Sequence, residues 1–167
     1  DQLGALNDGD DARAALDPLP AAYRKWVEAQ RIAAANLGGD RGEVAATLVQ
    51  HASQAAERID RGIRRLENDP DALEAFRVAN RAVGRALRQR DASKPPHWRP
   101  FQLAFLLLNL EGIADPKSAE RDIVDLLFFP TGGGKTEAYL GLAAFTMVLR
   151  RLRHGDDPGA IAGAGVT

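Results

Sequence analysis

Three consecutive glycines followed by Lys and Thr, Gly132-Gly133-Gly134-Lys135-Thr136, stand between a short β-rich apolar run and a long stretch of helical period. Few architectures accept that order. A glycine run takes positive φ without a Cβ clash, so successive backbone N–H groups can curl around an anion, and a helix starting directly afterwards adds the partial positive charge of its N-terminus. The run before it, Ile123-Val124-Asp125-Leu126-Leu127-Phe128-Phe129, reads as a buried parallel strand with Asp125 as its one blemish. After it, residues 136 to about 153 return to a 3.6-residue period through Tyr139, Leu140, Ala143, Phe145, Met147, Leu149 and Leu152. Arg150, Arg151, Arg153 and His154 close that helix where cations complement its dipole, and Gly155 stops it. Residues 160 to 167 then lead into a second strand.

Strand, glycine turn and helix are the context in which a Walker A match acquires a mechanism. Thr131, Gly132, Gly133 and Gly134 would form the cradle, Lys135 would bridge β- and γ-phosphate oxygens, and Thr136 would give its hydroxyl to Mg²⁺. The implied cofactors are ATP and Mg²⁺. The strict pattern demands Gly at position 129, where this chain has Phe129. The rival reading is a glycine-rich turn whose Lys is merely solvated; it needs the glycines and the Lys-Thr pair to coincide by chance in this setting.

The first half of the chain is helical in pattern. Residues 1 to 12, with Asp8, Asp10 and Asp11 among Gly and Asn, lack periodicity and read as a loop or frayed end. A first amphipathic helix follows Pro20, with Tyr23, Trp26, Val27, Gln30, Ala33, Ala34 and Leu37 on one face and Gly38-Gly39 as its stop. A second runs from about 43 to 66 through Val44, Leu48, Ala52, Ala55, Ile59, Ile63 and Leu66. Asp69 can cap a third, with Pro70 in its first turn and Leu73, Phe76, Asn80, Val83 and Leu87 on its face, to about Gln89. That helix also carries Arg77, Arg81, Arg85 and Arg88 along one side, which could track a phosphate backbone or be an ordinary solvated face. Beyond Lys94-Pro95-Pro96, Pro100 opens a helix apolar nearly all round, from Phe101 to Leu110, which must be buried by other elements and ends at Gly112.

These segments predict a mainly α chain: a helical N-terminal domain over 1–97, then the first βα unit of a RecA-like P-loop α/β domain over 98–167. The charge balance of 22 Lys and Arg against 23 Asp and Glu, with 45% hydrophobic residues, suits a chain that buries a core. With no Cys, disulfide scaffolds, thiol nucleophiles and Cys-ligated metals are excluded; the three His, His51, His97 and His154, lie far apart with no ligand-like spacing. The most apolar run, Leu103 to Leu108, is far short of the roughly 20 residues needed to cross a bilayer, and no leader pattern opens the chain, so the expected location is cytoplasmic. The only Met is Met147, so the chain is expected to be a fragment.

The octapeptide Phe129-Pro130-Thr131-Gly132-Gly133-Gly134-Lys135-Thr136 resembles motif I of superfamily 2 helicases, although Phe is a departure at its first position. Upstream, Arg99-Pro100-Phe101-Gln102 resembles the R-P-x-Q element of the same superfamily, and the resemblance gives Gln102 the reading of the adenine edge. Over about residues 20–167, the stretches Ala75 to Ala82, Trp98 to Leu110, Asp125 to Phe129 and Thr136 to Leu142 are similar to the helicase component of the DISARM anti-phage defence systems. That similarity implies a large ATP-driven DNA motor or clamp working with a partner subunit. It leaves two alternatives open: another P-loop NTPase in which Gln102 has no adenine role, or a non-catalytic helical interaction module with a structural P-loop. No D-E-x-x acidic pair and no second lobe supplying an arginine finger occur in the chain, so it is expected to be inactive alone.

Overall fold

A computed structural model describes residues 2–128, 132–155 and 157. After a 3-10 turn at Gln2–Gly4 come α1 (Gly9–Leu16), α2 (Pro18–Ala34), α3 (Gly39–Asn68), α4 (Pro70–Arg90) and α5 (Pro100–Ala114). A 3-10 turn at Ala119–Asp122 precedes α6 (Lys135–His154). Among the described residues, none of the helices is long and apolar enough to cross a membrane.

The acidic start is a helix cap, not the expected loop. Asp8 accepts the Asp11 N–H at 2.9 Å, Asp10 and Asp11 occupy the first turn of α1 where the helix dipole favours anions, and Asn7 bonds the Asp11 carboxylate. Leu6, Ala12 and Leu16 are thereby buried. An eight-residue helix is too short to show its period, and that is why pattern alone passed over it.

The expected α2, α3 and α4 form; α3 and α4 run a few residues beyond their apolar pattern, whereas α2 starts at Pro18 and ends at Ala34, short of Leu37 and of the expected stop at Gly38-Gly39. Pro18 and Pro70 sit in their first turns, and Asp69 caps α4 by accepting the Ala72 N–H at 3.1 Å. Only part of the expected apolar face of α3 is covered. At 30 residues the helix is about 45 Å long, and while Ala56, Ile59, Ile63 and Leu66 reach the core, Val44 and Leu48 stay exposed near the α2 turn with Trp26, Ile32 and Leu37.

One core joins both halves of the chain. Ile59, Ile63 and Leu66 of α3, Phe76 and Ala79 of α4, Leu106, Leu107 and Leu110 of α5, and Phe145 and Leu149 of α6 belong to a single buried cluster. α5 is enclosed, as its all-round apolar sequence requires; it continues past Gly112, whose close fit against Glu120 is the reason for a glycine there, and stops at Asp115-Pro116. α6 buries Ala138, Gly141, Phe145 and Leu149, but Tyr139, Leu140, Met147 and Leu152 of its expected face are exposed.

Residues 123–128 do not form the expected strand. They carry no regular secondary structure, with Val124, Leu126 and Phe128 95%, 86% and 88% exposed, and the Phe128 N–H turns back to the Leu126 carbonyl. A strand needs a neighbour for its backbone groups, and among the described residues none is present. Asp125 is held instead by α3: Arg58 bonds both its carboxylate oxygens at 2.6 and 2.7 Å and also pairs with Glu120, which accepts from Arg61 at 2.5 Å. The blemish in the apolar run is therefore an anchor. Phe129, Pro130 and Thr131, and the second strand expected at 160–167, lie outside the described residues.

Candidate functional site: the glycine turn at the start of α6

Gly132 and Gly134 both adopt positive φ, 79° and 89°, a region that L side chains rarely adopt. Among the described residues, a Cβ on Gly132 would meet no atom within 4 Å, whereas one on Gly134 would come within 2.7 Å of Gln102 Nε2 and 3.3 Å of Glu137 Oε2. The first position is open space beside the turn; the second is closed by neighbours. Gly134 then acts as N-cap of α6, making Lys135 and Thr136 its first two residues, half-buried and exposed respectively.

The start of α5 grips this turn from one side. Arg99 Nη1 donates to the Gly133 carbonyl at 2.8 Å, and Gln102 Nε2 donates to the Gly134 carbonyl at 2.7 Å. Gln102 Oε1 meanwhile accepts the Arg99 N–H at 2.8 Å, the side chain reaching back to cap its own helix. Gln102 is 5% exposed, and both ends of its carboxamide are engaged. Because a trans peptide points its C=O and N–H in opposite directions, drawing the Gly133 and Gly134 carbonyls toward α5 turns the N–H groups of Gly134 and Lys135 away from it. Two consecutive donors are thus presented on the side opposite α5, at the positive end of a 20-residue helix.

Neighbouring contacts hold this arrangement in place. Gly141 permits Trp98 to lie on α6, since an added Cβ would stand 2.8 Å from Trp98 Cη2. The Trp98 indole donates to Asn80 Oδ1 at 2.7 Å, tying the same ring to α4. Tyr139 meets Phe105 of α5 edge-on, with centroids 5.4 Å apart. Glu137 accepts from Arg90, the last residue of α4, at 2.9 Å. Its own backbone N–H, and then Arg90, hold the Glu137 carboxyl below the usual carboxylate range.

Among the sequence-predicted site residues, Gln102 bonds Gly134; Gly132, Gly133, Lys135 and Thr136 belong to the same turn and helix start; and Thr131 lies outside the described residues. Sequence reasoning did not find Arg90, the Trp98–Asn80 bond, or the Arg99 contact to Gly133. A glycine at 141, inside a helix where it costs roughly 1 kcal/mol relative to Ala, was the one available signal of a close approach. The arginine row of α4 is partly engaged: Arg77 and Arg81 both pair with Glu74, and Arg81 also bonds the Gly4 carbonyl, fastening the N-terminal turn.

No protein-family model matches the chain. It is similar to the DISARM protein DrmA of Bacillus paralicheniformis, with 39% identity over an alignment of 165 residues that takes in 87% of this chain. The chain spans 14% of that relative's length.

Proposed function

Starting from a chain that is DrmA-like over 87% of its length, we propose that it carries the nucleotide-binding turn of an ATP-driven superfamily 2 DNA helicase or translocase in anti-phage defence. The observation that carries this reading is the orientation of the turn. α5 holds the Gly133 and Gly134 carbonyls on one side, which turns the N–H groups of Gly134 and Lys135 to the other, and Lys135 and Thr136 are the first two residues of the helix that follows. Backbone donors, one cation, one hydroxyl and a helix N-terminus on a single turn suit a polyphosphate with its Mg²⁺. The bound metal would neutralise charge between phosphate oxygens; the chain's own part is to hold those oxygens and to position a hydroxyl for the ion.

Two exposed apolar surfaces favour a RecA-like setting for the turn. Val124, Leu126 and Phe128 lead into it and Leu140 and Met147 follow on α6, all of them left in solvent. A strand and helix of a parallel α/β layer have this character when their sheet neighbours are not in place. In this proposal Gln102 first joins α5 to the turn; reading adenine would require its carboxamide to release one of two bonds. DNA as the track, a second subunit of the defence complex as partner and a cytoplasmic setting complete the proposal.

The test is Lys135→Ala in the full-length gene product. Turnover of ATP should fall by at least about a hundredfold in a variant that still folds, because the ammonium's part is in stabilising phosphate charge. Undiminished ATPase activity in a folded variant would refute the assignment.

A further inference from the structure

Glu137 stands where a nucleotide-binding turn can least accommodate an uncompensated negative charge. Its Oε2 lies 3.3 Å from the point a Cβ on Gly134 would occupy, so the carboxylate borders the last glycine of the turn. The side chain is only 17% exposed; its carboxylate accepts its own backbone N–H and pairs with Arg90. Arg90 reaches it from the end of α4, a helix that ends 45 residues before α6 begins; its own side chain is 69% exposed. It therefore adds little to the core, and its contact with Glu137 is a matter of charge. Arg99, the other arginine at this site, already donates to Gly133 and sits on the α5 side.

We propose that Arg90 is a positioning residue that neutralises Glu137, and that this contact from the helical half of the chain sets how tightly the turn takes a nucleoside triphosphate. The inference rests on the nucleotide reading above. A carboxylate beside the phosphate-binding amides repels a polyanion, and the repulsion grows with phosphate charge; pairing with a guanidinium at 2.9 Å cancels most of it. Arg90 acts on the nucleotide through Glu137 and does not itself touch phosphate.

The experiment is a double-mutant cycle on the full-length gene product, reading the dissociation constants of Mg·ATP and Mg·ADP by calorimetry. Arg90→Ala should weaken ATP by about threefold to tenfold and ADP by less, with the difference shrinking as salt is raised. Glu137→Gln should leave ATP affinity unchanged or improve it. The double variant should bind like Glu137→Gln alone, since with the carboxylate gone Arg90 has nothing to cancel. Arg90→Lys should restore most of the affinity. Equal weakening in Arg90→Ala and in the double variant would mean that Arg90 contacts phosphate directly, and would overturn the proposal. So would unchanged affinity in Arg90→Ala. Melting without nucleotide identifies any variant that fails to fold; should Arg90→Ala be one, the comparison of Glu137→Gln with wild type decides, and weaker ATP binding by Glu137→Gln refutes the idea. If the wild-type protein binds no adenosine nucleotide, the nucleotide reading itself falls and this inference with it, a result distinct from every pattern in the cycle.

Discussion

Replacing Gly62 by Ala inverts the usual effect of that substitution, and the inversion can be worked from the structure. In the interior of an exposed helix, Gly to Ala stabilises by roughly 0.8–1.0 kcal/mol. Gly62 lies in α3 where that helix crosses α5, and an added Cβ would stand 1.9 Å from the Leu107 carbonyl oxygen and 2.8 Å from its carbon. Both atoms belong to the α5 backbone, so no side chain can swing aside. The helices must part by about 1.1 Å merely to reach 3.0 Å, the shortest separation that real Cβ atoms show. Ile59, Ile63, Leu106, Leu107 and Leu110 are all 3% exposed or less around this crossing. A gap of that size forfeits a quarter to a half of each dispersion contact it opens. Overpacking typically costs about 1–3 kcal/mol, and this site belongs at the upper end because backbone must move. After subtracting the helix-propensity gain, we expect Gly62→Ala to destabilise by about 2 kcal/mol, lowering the urea midpoint by about 1 M at the slopes usual for small domains. The assay is equilibrium unfolding followed by circular dichroism. An unchanged or raised midpoint would refute the reasoning, because without the close approach the propensity term alone would make the variant more stable.

Other substitutions test the site and its supports. Gln102→Ala removes the bonds to the Arg99 N–H and the Gly134 carbonyl, so in the full-length protein it should weaken ATP and GTP alike, by about tenfold or less; a loss confined to ATP, seen by titrating both nucleotides, would return Gln102 to adenine recognition. Arg58→Met leaves Asp125 without its bidentate partner at a site where Arg58 is 11% exposed, and should cost about 2–4 kcal/mol in urea unfolding. Arg61→Met, at a side chain 36% exposed, should cost under about 1 kcal/mol; equal costs would show that Arg58 is no anchor.

Which parts of this fold the sequence disclosed follows from the range of the interaction that decides each part. Helices α2 to α4 are set by a local period and α5 by an unbroken apolar run, with Pro in the first turn of α2, α4 and α5 and Asp69 capping α4, all visible within a few residues of chain. α1 depends on Asp8 and Asn7 closing a single turn, and no period could reveal it. The glycine turn was legible because its chemistry is contiguous: Gly132 to Thr136 state their conformational and charge requirements in five adjacent residues. What holds the turn was not legible. Arg99 meets Gly133 across 34 positions, Gln102 meets Gly134 across 32, and Arg90 meets Glu137 across 47. Long polar side chains on a helix surface carry no record of which distant group they meet.

The misread strand arises from a different cause. Alternation of exposed and retained residues is present over 123–128, with Val124, Leu126 and Phe128 outward and Asp125 drawn to Arg58, yet no ladder forms. Sequence pattern encodes the surroundings in which each side chain is stable, whereas a strand is a relation between two segments, and its hydrogen bonds need both of them. α6 gives the same lesson in helical form. Intrachain bonds let it fold with one apolar face on Phe76 and Leu107's cluster and another, at Leu140 and Met147, in solvent, because a helix satisfies its own backbone and a strand cannot. On the RecA-like reading proposed above, a β-rich run and a two-faced helix flanking the glycine turn share one requirement, a sheet layer against both. Supplying that layer should convert 123–128 to strand while leaving the α5 grip on Gly133 and Gly134 unchanged, since none of its donors lies in the segment that would rearrange.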